Sequence, residues 1–113
     1  MFSGKINAYT LALALILASP VALSGGAAEP AIEVEILNFK FLSPEITVNV
    51  GDSVRWTNKE KRQYHSVWFE QAGDPEPDYI FPGETYIRSF DKAGNFPYRC
   101  GPHPEMTGVV HVK

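Results

Sequence analysis

The only cysteine of this chain, Cys100, begins a seven-residue run, Cys-Gly-Pro-His-Pro-Glu-Met, that ends at Met106. The run offers a thiolate, the imidazole of His103 and a thioether. A loop this short can surround one ion only if a further donor comes from elsewhere in the chain, and His65 carries an upstream imidazole. The chain must therefore fold so that the segment bearing His65 lies against the end of the segment bearing Cys100.

Two imidazoles, a thiolate and a weak axial thioether form the donor set of copper electron-transfer sites. The sequence thus predicts one copper ion per chain, held in a trigonal arrangement by His65, Cys100 and His103, with Met106 as a long axial ligand. Zinc is an alternative for a Cys-x2-His pair, although zinc seldom takes a thioether and the run holds no second cysteine. A small buried cysteine without a metal is the other alternative.

Apolar and polar residues alternate along several short segments. Ile46, Val48 and Val50 alternate with polar residues, Gly51-Asp52 is a turn signal, and Val54 and Trp56 continue the alternation, which predicts a hairpin. Further strands are predicted at residues 32–41, 65–69, 85–90, 96–100 and 108–112. No segment shows a sustained helical period. Short strands separated by turn signals predict an all-β sandwich or small barrel.

The N-terminal residues have the layout of a secretory signal peptide. Lys5 precedes an apolar stretch at 8–18, and small residues follow up to Ala28, which is too short and wrongly flanked for a membrane anchor. A plain hydrophobic helix is the alternative. We expect residues 1–28 to be removed, with Ser24 as the other cleavage position, so that residues 29–113 form an exported, periplasmic domain without a membrane span.

The charge of residues 29–113 argues against a nucleic-acid-binding surface. All 13 acidic residues lie there, whereas Lys5 is one of only 10 basic residues, and nucleic-acid-binding surfaces are usually basic. The chain has three histidines, too few for a second copper centre, and no Ser-His-Asp or paired-carboxylate arrangement. We therefore do not expect an enzyme. His111 alternates with two valines and is expected to face solvent, and Glu105 to point out of the loop.

Three motifs resemble those of the cupredoxins, the small blue-copper proteins. Residues 48–58 resemble the family's V-x-V-G-D-x-V-x-W-x-N motif, residues 94–100 its G-x-[FY]-x-[FY]-x-C approach to the metal, and the C-x2-H-x2-M spacing is that of the amicyanins. Within the family the chain looks most like the amicyanin and pseudoazurin branch. The resemblance implies a Greek-key β-sandwich with copper at one end.

The resemblance also implies the roles of individual ligands. His65 and His103 would bind through a ring nitrogen, Cys100 through sulfur and Met106 axially. His103 would be the partly exposed ligand near which a redox partner such as a cytochrome, oxidase or dehydrogenase docks. The chain departs from the family at Ser66, where an asparagine is usual, and at Glu105, where amicyanins have an aromatic residue.

Two functions therefore remain open for the predicted copper site. The first is a monomeric one-electron carrier. The second is a copper-tolerance protein that binds or redox-buffers excess copper, because the chain also resembles a subgroup of periplasmic cupredoxins associated with that role. Acidic residues in the loop 70–84 either form a solvated surface or steer a basic partner.

Overall fold

The computed structural model describes residues 29–113, which form two packed β-sheets, as predicted. Within this part of the chain there is no α-helix, only a single 3-10 turn at Glu70–Ala72. The strands are β1 (Ile32–Leu37), β2 (Lys40–Phe41), β3 (Glu45–Val48), β4 (Ser53–Asn58), β5 (Thr85–Ser89), β6 (Gly94–Arg99) and β7 (Thr107–Val112). One sheet has the order β2-β1-β4-β5 and the other β3-β7-β6.

The predicted hairpin between residues 46 and 57 is wrong. β3 and β4 flank the turn but lie in different sheets: β3 pairs in parallel with β7, and β4 lies between β1 and β5. The turn takes the chain from one sheet to the other. Val50 donates its amide hydrogen to Lys113, which follows β7, and Gly51 donates to Phe90, which follows β5 in the opposite sheet. Alternation predicts which side chains are buried but not which strand is the neighbour.

The first predicted strand, 32–41, is interrupted at a two-residue turn. Asn38 and Phe39 have φ values of +56° and +57°, which reverse the chain so that Leu37 pairs with Lys40 in the β1–β2 hairpin. Tight hairpins of this kind require left-handed backbone conformations. The second residue of this turn, Phe39, places an aromatic side chain at the tip of the hairpin.

Residues 65–69 do not form the predicted strand. The segment makes one bridge between His65 and Ile80 and another between Trp68 and Arg99, so it crosses from one loop to β6 instead of following a single neighbour. His65, Val67 and Phe69 are buried, as their alternation predicts, but Ser66 is buried too. Consecutive residues from His65 to Val67 are therefore all shielded from solvent, unlike those of a strand with one exposed face.

Trp56 and Tyr98 join the two sheets at the centre of the core. The fully buried Trp56, on β4, donates its indole N–H to Tyr98 Oη, on β6, at 3.2 Å. Phe41 and Phe69 pack their rings against Tyr98 with centroids 4.8 and 5.1 Å away. This aromatic contact fixes β6 relative to the opposite sheet, and β6 ends immediately before Cys100.

The predicted signal peptide, residues 1–28, lies outside the described residues. Among residues 29–113 the structure has no helix with the length and apolar character needed to span a bilayer.

Candidate metal centre

Cys100 and Met106 lie at the two ends of a loop that joins the antiparallel strands β6 and β7. Cys100 donates its amide hydrogen to Met106 O, and Met106 donates to His103 O, both at 2.9 Å. Pro102 and Pro104 have fixed φ angles. The loop is therefore closed by its own backbone, and its conformational freedom is small.

Three of the four predicted ligands lie together. Cys100 Sγ is 3.6 Å from His65 Nδ1 and 3.5 Å from His103 Nδ1, and the three donor atoms all lie within 4.8 Å of one another. Donors about 2.0–2.3 Å from one ion at trigonal angles would be about 3.5–3.8 Å apart. The two sulfur–nitrogen distances thus fit a shared metal ion.

Glu60 fixes the orientation of the His65 ring. Its Oε2 lies 3.0 Å from His65 Nε2, and the imidazole is fully buried. Burial lowers the pKa of His65, with Glu60 partly opposing this shift. The neutral ring can then donate from Nε2 to Glu60 and present Nδ1 as a free electron pair towards Cys100, which is the arrangement that a metal ligand needs.

Glu60 itself remains anionic despite its surroundings. Burial raises the pKa of Glu60, but hydrogen bonds from the Phe39 amide and the His65 ring lower it by more. The pKa of Glu60 is therefore below its ordinary value. The Phe39 amide donates to Glu60 Oε2 at 2.8 Å. One carboxylate oxygen therefore holds both the hairpin tip and the His65 ring.

The Cys100 sulfur is fully buried and lies close to backbone N–H groups. Burial raises the pKa of the Cys100 thiol, while the amides of Ser66 and His103 partly lower it. Ser66 N–H donates to Sγ at 3.3 Å. Without an ion the thiol is therefore protonated at neutral pH, and a bound cation would displace that proton.

Ser66 links the two segments that carry the predicted ligands. Its Oγ accepts a hydrogen bond from the Gly101 amide at 2.8 Å. The departure from the family's asparagine thus keeps the connection between the His65 segment and the Cys100 loop. It is made with a shorter side chain that is itself fully buried.

Phe39 packs against both imidazoles of the site. Its ring centroid lies 4.9 Å from that of His103 and 5.6 Å from that of His65, at nearly perpendicular angles. Sequence reasoning did not identify Phe39 or Glu60. Phe39 falls within the predicted strand 32–41, and Glu60 is flanked by Lys59, Lys61 and Arg62, so neither position gives a local signal of proximity to the site.

The remaining predicted residues occupy different surroundings. Met106 is buried in the core cluster that also contains Cys100, and its axial role stays a prediction. Glu105 is exposed, as expected. His111 lies on β7 away from the donor group, with its ring nitrogens 2.7 Å from Asn95 Oδ1 and 3.1 Å from Glu45 Oε2.

Several carboxylates of the acidic loop are already engaged. Glu70 pairs with Arg99 at 2.9 Å and Asp74 with Arg88 at 2.5 Å, while Glu84 accepts a hydrogen bond from the Phe81 amide. These contacts reduce the charge that the loop presents to solvent, so they weaken the idea that it steers a basic partner.

A β-sandwich that gathers a buried cysteine sulfur and two imidazoles at one end defines a small copper protein. Residues 28–113 match the family model for copper binding proteins of the plastocyanin/azurin family. The chain belongs to this family, the cupredoxins, and is accordingly a type 1 copper electron carrier with copper as its ion.

Individual relatives include both amicyanins and plastocyanins. The chain is 38% identical to amicyanin-alpha of Methylorubrum extorquens, over 94% of this chain and 97% of that protein. It is 38% identical to amicyanin of Paracoccus denitrificans, over 76% and 68%. Plastocyanin of Tetradesmus obliquus is 33% identical, over 82% and 72%.

Solved amicyanin structures have the same fold. The Cu(I) form of an amicyanin mutant superposes with a TM-score of 0.69 at 36% identity, covering 77% of this chain and 86% of that one. The crystal structure of amicyanin from Paracoccus versutus gives 0.68 at 34% identity, over 74% and 81%.

Proposed function

We propose that this protein is exported to the periplasm and carries single electrons there, with copper held by His65, Cys100, His103 and Met106. The observation that carries this proposal is the convergence of the two imidazole Nδ1 atoms on Cys100 Sγ at 3.5–3.6 Å. The first three residues would be the equatorial ligands and Met106 the axial one.

Copper in such a site supplies a one-electron couple between Cu(I) and Cu(II). The chain's contribution is to keep the donors in place during the change of charge. The backbone hydrogen bonds between Cys100 and Met106 close the loop, and Glu60 holds the His65 ring. Donors that barely move suit rapid electron transfer.

The exposure of the ligands suggests where a partner docks. His65 and Cys100 are fully buried, whereas His103 is half-buried. We infer that a cytochrome, oxidase or dehydrogenase docks near His103 and exchanges electrons through its ring. The protein would thus act as a monomeric carrier that transforms no substrate itself.

Export is supported by the signal-like layout of residues 1–28 and by the family match, which begins at residue 28. We propose cleavage after Ala28, which leaves residues 29–113 as the cupredoxin domain. Mass spectrometry of the protein recovered from a periplasmic fraction tests this boundary, and an intact N-terminus there would contradict it.

Copper tolerance is the second candidate function. Two fully buried predicted ligands, His65 and Cys100, favour retention of an ion, which a copper-binding or redox-buffering protein needs. One site per chain makes bulk storage inefficient. The electron-carrier role therefore remains the first proposal.

One experiment addresses the site and both functions. The purified, copper-loaded protein should show an intense thiolate-to-copper charge-transfer band, and Cys100→Ser should lose it. Rapid reduction and reoxidation by a cytochrome would favour the carrier, whereas a copper-sensitive deletion strain with slow electron exchange would favour tolerance. A colourless protein in the presence of cupric salt would contradict both.

A further inference from the structure

The tip of the β1–β2 hairpin adopts a backbone conformation that its aromatic residue disfavours. Asn38 and Phe39 are the only non-glycine residues within 29–113 that have positive φ. Asparagine is tolerated in the left-handed region, but a bulky side chain such as phenylalanine is a genuine outlier there. Outliers of this kind persist only where the surrounding structure enforces them, and they concentrate at functional sites.

Glu60 is the group that holds Phe39 in this conformation. Its Oε2 accepts the Phe39 amide hydrogen at 2.8 Å and lies 3.0 Å from His65 Nε2. The turn is therefore tied directly to a predicted ligand. A hairpin that needed only to reverse the chain would be served better by glycine at this position.

The side chain of Phe39 explains why an aromatic residue stands there. Its ring meets the imidazoles of His65 and His103 edge-on, at interplanar angles of 84° and 89°, while 45% of the residue remains exposed. Edge-to-face contacts of this kind contribute about 0.5–1.5 kcal/mol beyond area burial. The ring thus packs against both imidazoles while part of the residue faces solvent.

We propose that Phe39 is a positioning residue that limits access to the metal centre by holding the His103 ring over Cys100. Cys100 is fully buried although the neighbouring His103 is only half-buried. Movement of the His103 ring would open a short path to the sulfur, and Phe39 packs against that ring. The proposal rests on the ligand set proposed above, but the thiol of the copper-free protein provides a test that needs no copper.

The test compares three variants of the purified protein. Phe39→Asn suits the left-handed turn but removes the ring, and Phe39→Tyr keeps the ring. Val50→Asn is the matched control, because Val50 is similarly exposed, at 50%, in the turn next to Lys113 at the opposite end of the sandwich. Alkylation of Cys100 by iodoacetamide in the copper-free protein and removal of Cu(I) by bathocuproine disulfonate are timed for each.

We expect Phe39→Asn to accelerate both reactions about tenfold, because loss of one ring contact raises the population of open states by that order. Phe39→Tyr and Val50→Asn should remain within about twofold of the parent, since neither removes that contact. The urea midpoint of the copper-free Phe39→Asn protein should change little, since relief of the strained turn opposes the loss of ring packing.

Unchanged rates in Phe39→Asn, or equal acceleration in Val50→Asn, would overturn the proposal. If Phe39→Asn does not fold, Phe39→Gly takes its place, with the same expectation. Faster alkylation of the copper-free thiol without any copper binding would support the role of Phe39 while contradicting the proposed function, so the two failures are distinguishable.

Discussion

The amide of Gly101 donates a hydrogen bond to Ser66 Oγ at 2.8 Å, and this bond joins the two chain segments that meet at the copper site. Ser66 also directs its own amide at Cys100 Sγ. The fully buried Ser66 thus contacts both the backbone of the loop and the cysteine sulfur.

Ser66→Ala should destabilise the copper-free protein by about 1–3 kcal/mol, because the partly buried Gly101 amide loses its acceptor. Urea unfolding measures the change. Ser89→Ala, on an exposed position of β5, is the matched control and should have little effect. Equal stability of the two variants would show that the Ser66 bond contributes nothing.

Glu60→Ala should weaken copper binding about 10–100-fold, since removal of a group that orients a ligand histidine typically has this effect. Competition with a chelator of known affinity measures it. Glu84→Ala removes another carboxylate that accepts a backbone amide, that of Phe81, and should leave copper affinity unchanged. Similar losses in both variants would mean that Glu60 acts through general charge and not through His65.

Pro102→Ala should raise the reduction potential of the copper-loaded protein. The alanine restores a backbone N–H within the loop beside Cys100, and a further hydrogen bond to the sulfur weakens its donation to Cu(II) and so favours Cu(I). Pro104→Ala, on the other side of His103, is the control. Voltammetry that shows no change or a lower potential for Pro102→Ala would exclude this mechanism.

Alkaline pH should destabilise the folded protein through Tyr98. Burial raises the pKa of Tyr98 to about 12, above the value of about 10 of a solvent-exposed tyrosine, so the folded state keeps the phenol neutral. The resulting stability is present below pH 10 and is lost as pH rises from 10 to 12, by about 2–3 kcal/mol in total. Tyr98→Phe should flatten this part of the stability profile, whereas Tyr79→Phe, on the surface, should not. A profile unaltered by Tyr98→Phe would assign the alkaline transition to another group.

Gly108→Ala should destabilise the sandwich because a Cβ at this position would lie close to Tyr98, 2.4 Å from Cζ and Oη, and 2.9 Å from Pro44 O. Overpacking of this kind typically lowers the free energy of unfolding by about 1–3 kcal/mol. In a Tyr98→Ala background most of the penalty should disappear, because the clashing ring is gone. A penalty that is additive in the double variant would place its origin in the backbone and not in the ring contact.

The ligand-bearing loop could be predicted because its donors are close in sequence. Cys100, His103 and Met106 lie within one turn between two strands, and their chemistry is specific to soft metals. His65 was predicted from its inward position among buried neighbours, and the structure places its ring beside Cys100. Local pattern therefore sufficed to predict that His65, Cys100 and His103 come together.

The partners of the strands could not be predicted in the same way. One core contains the side chains of Ile46, Val48, Val54 and Trp56. Their alternation along the sequence is the same whether the chain folds back in a hairpin or crosses to the other sheet. Phe39 approaches His65 only through the turn at 38–39, where positive φ values occur without a glycine in the sequence. Glu60 contacts His65 from the irregular loop that follows β4. Such contacts depend on tertiary packing.

The parallel pairing of β3 with β7, in which Glu45 is the partner of Val109, joins positions far apart in the chain. Pairings of such long range form late in folding, since a large loop must close before they gain any contacts. The contact between His65 and Cys100 at the copper centre likewise joins residues 35 positions apart. We therefore expect the ion to be loaded into the finished sandwich, instead of nucleating its assembly as zinc does in small finger domains.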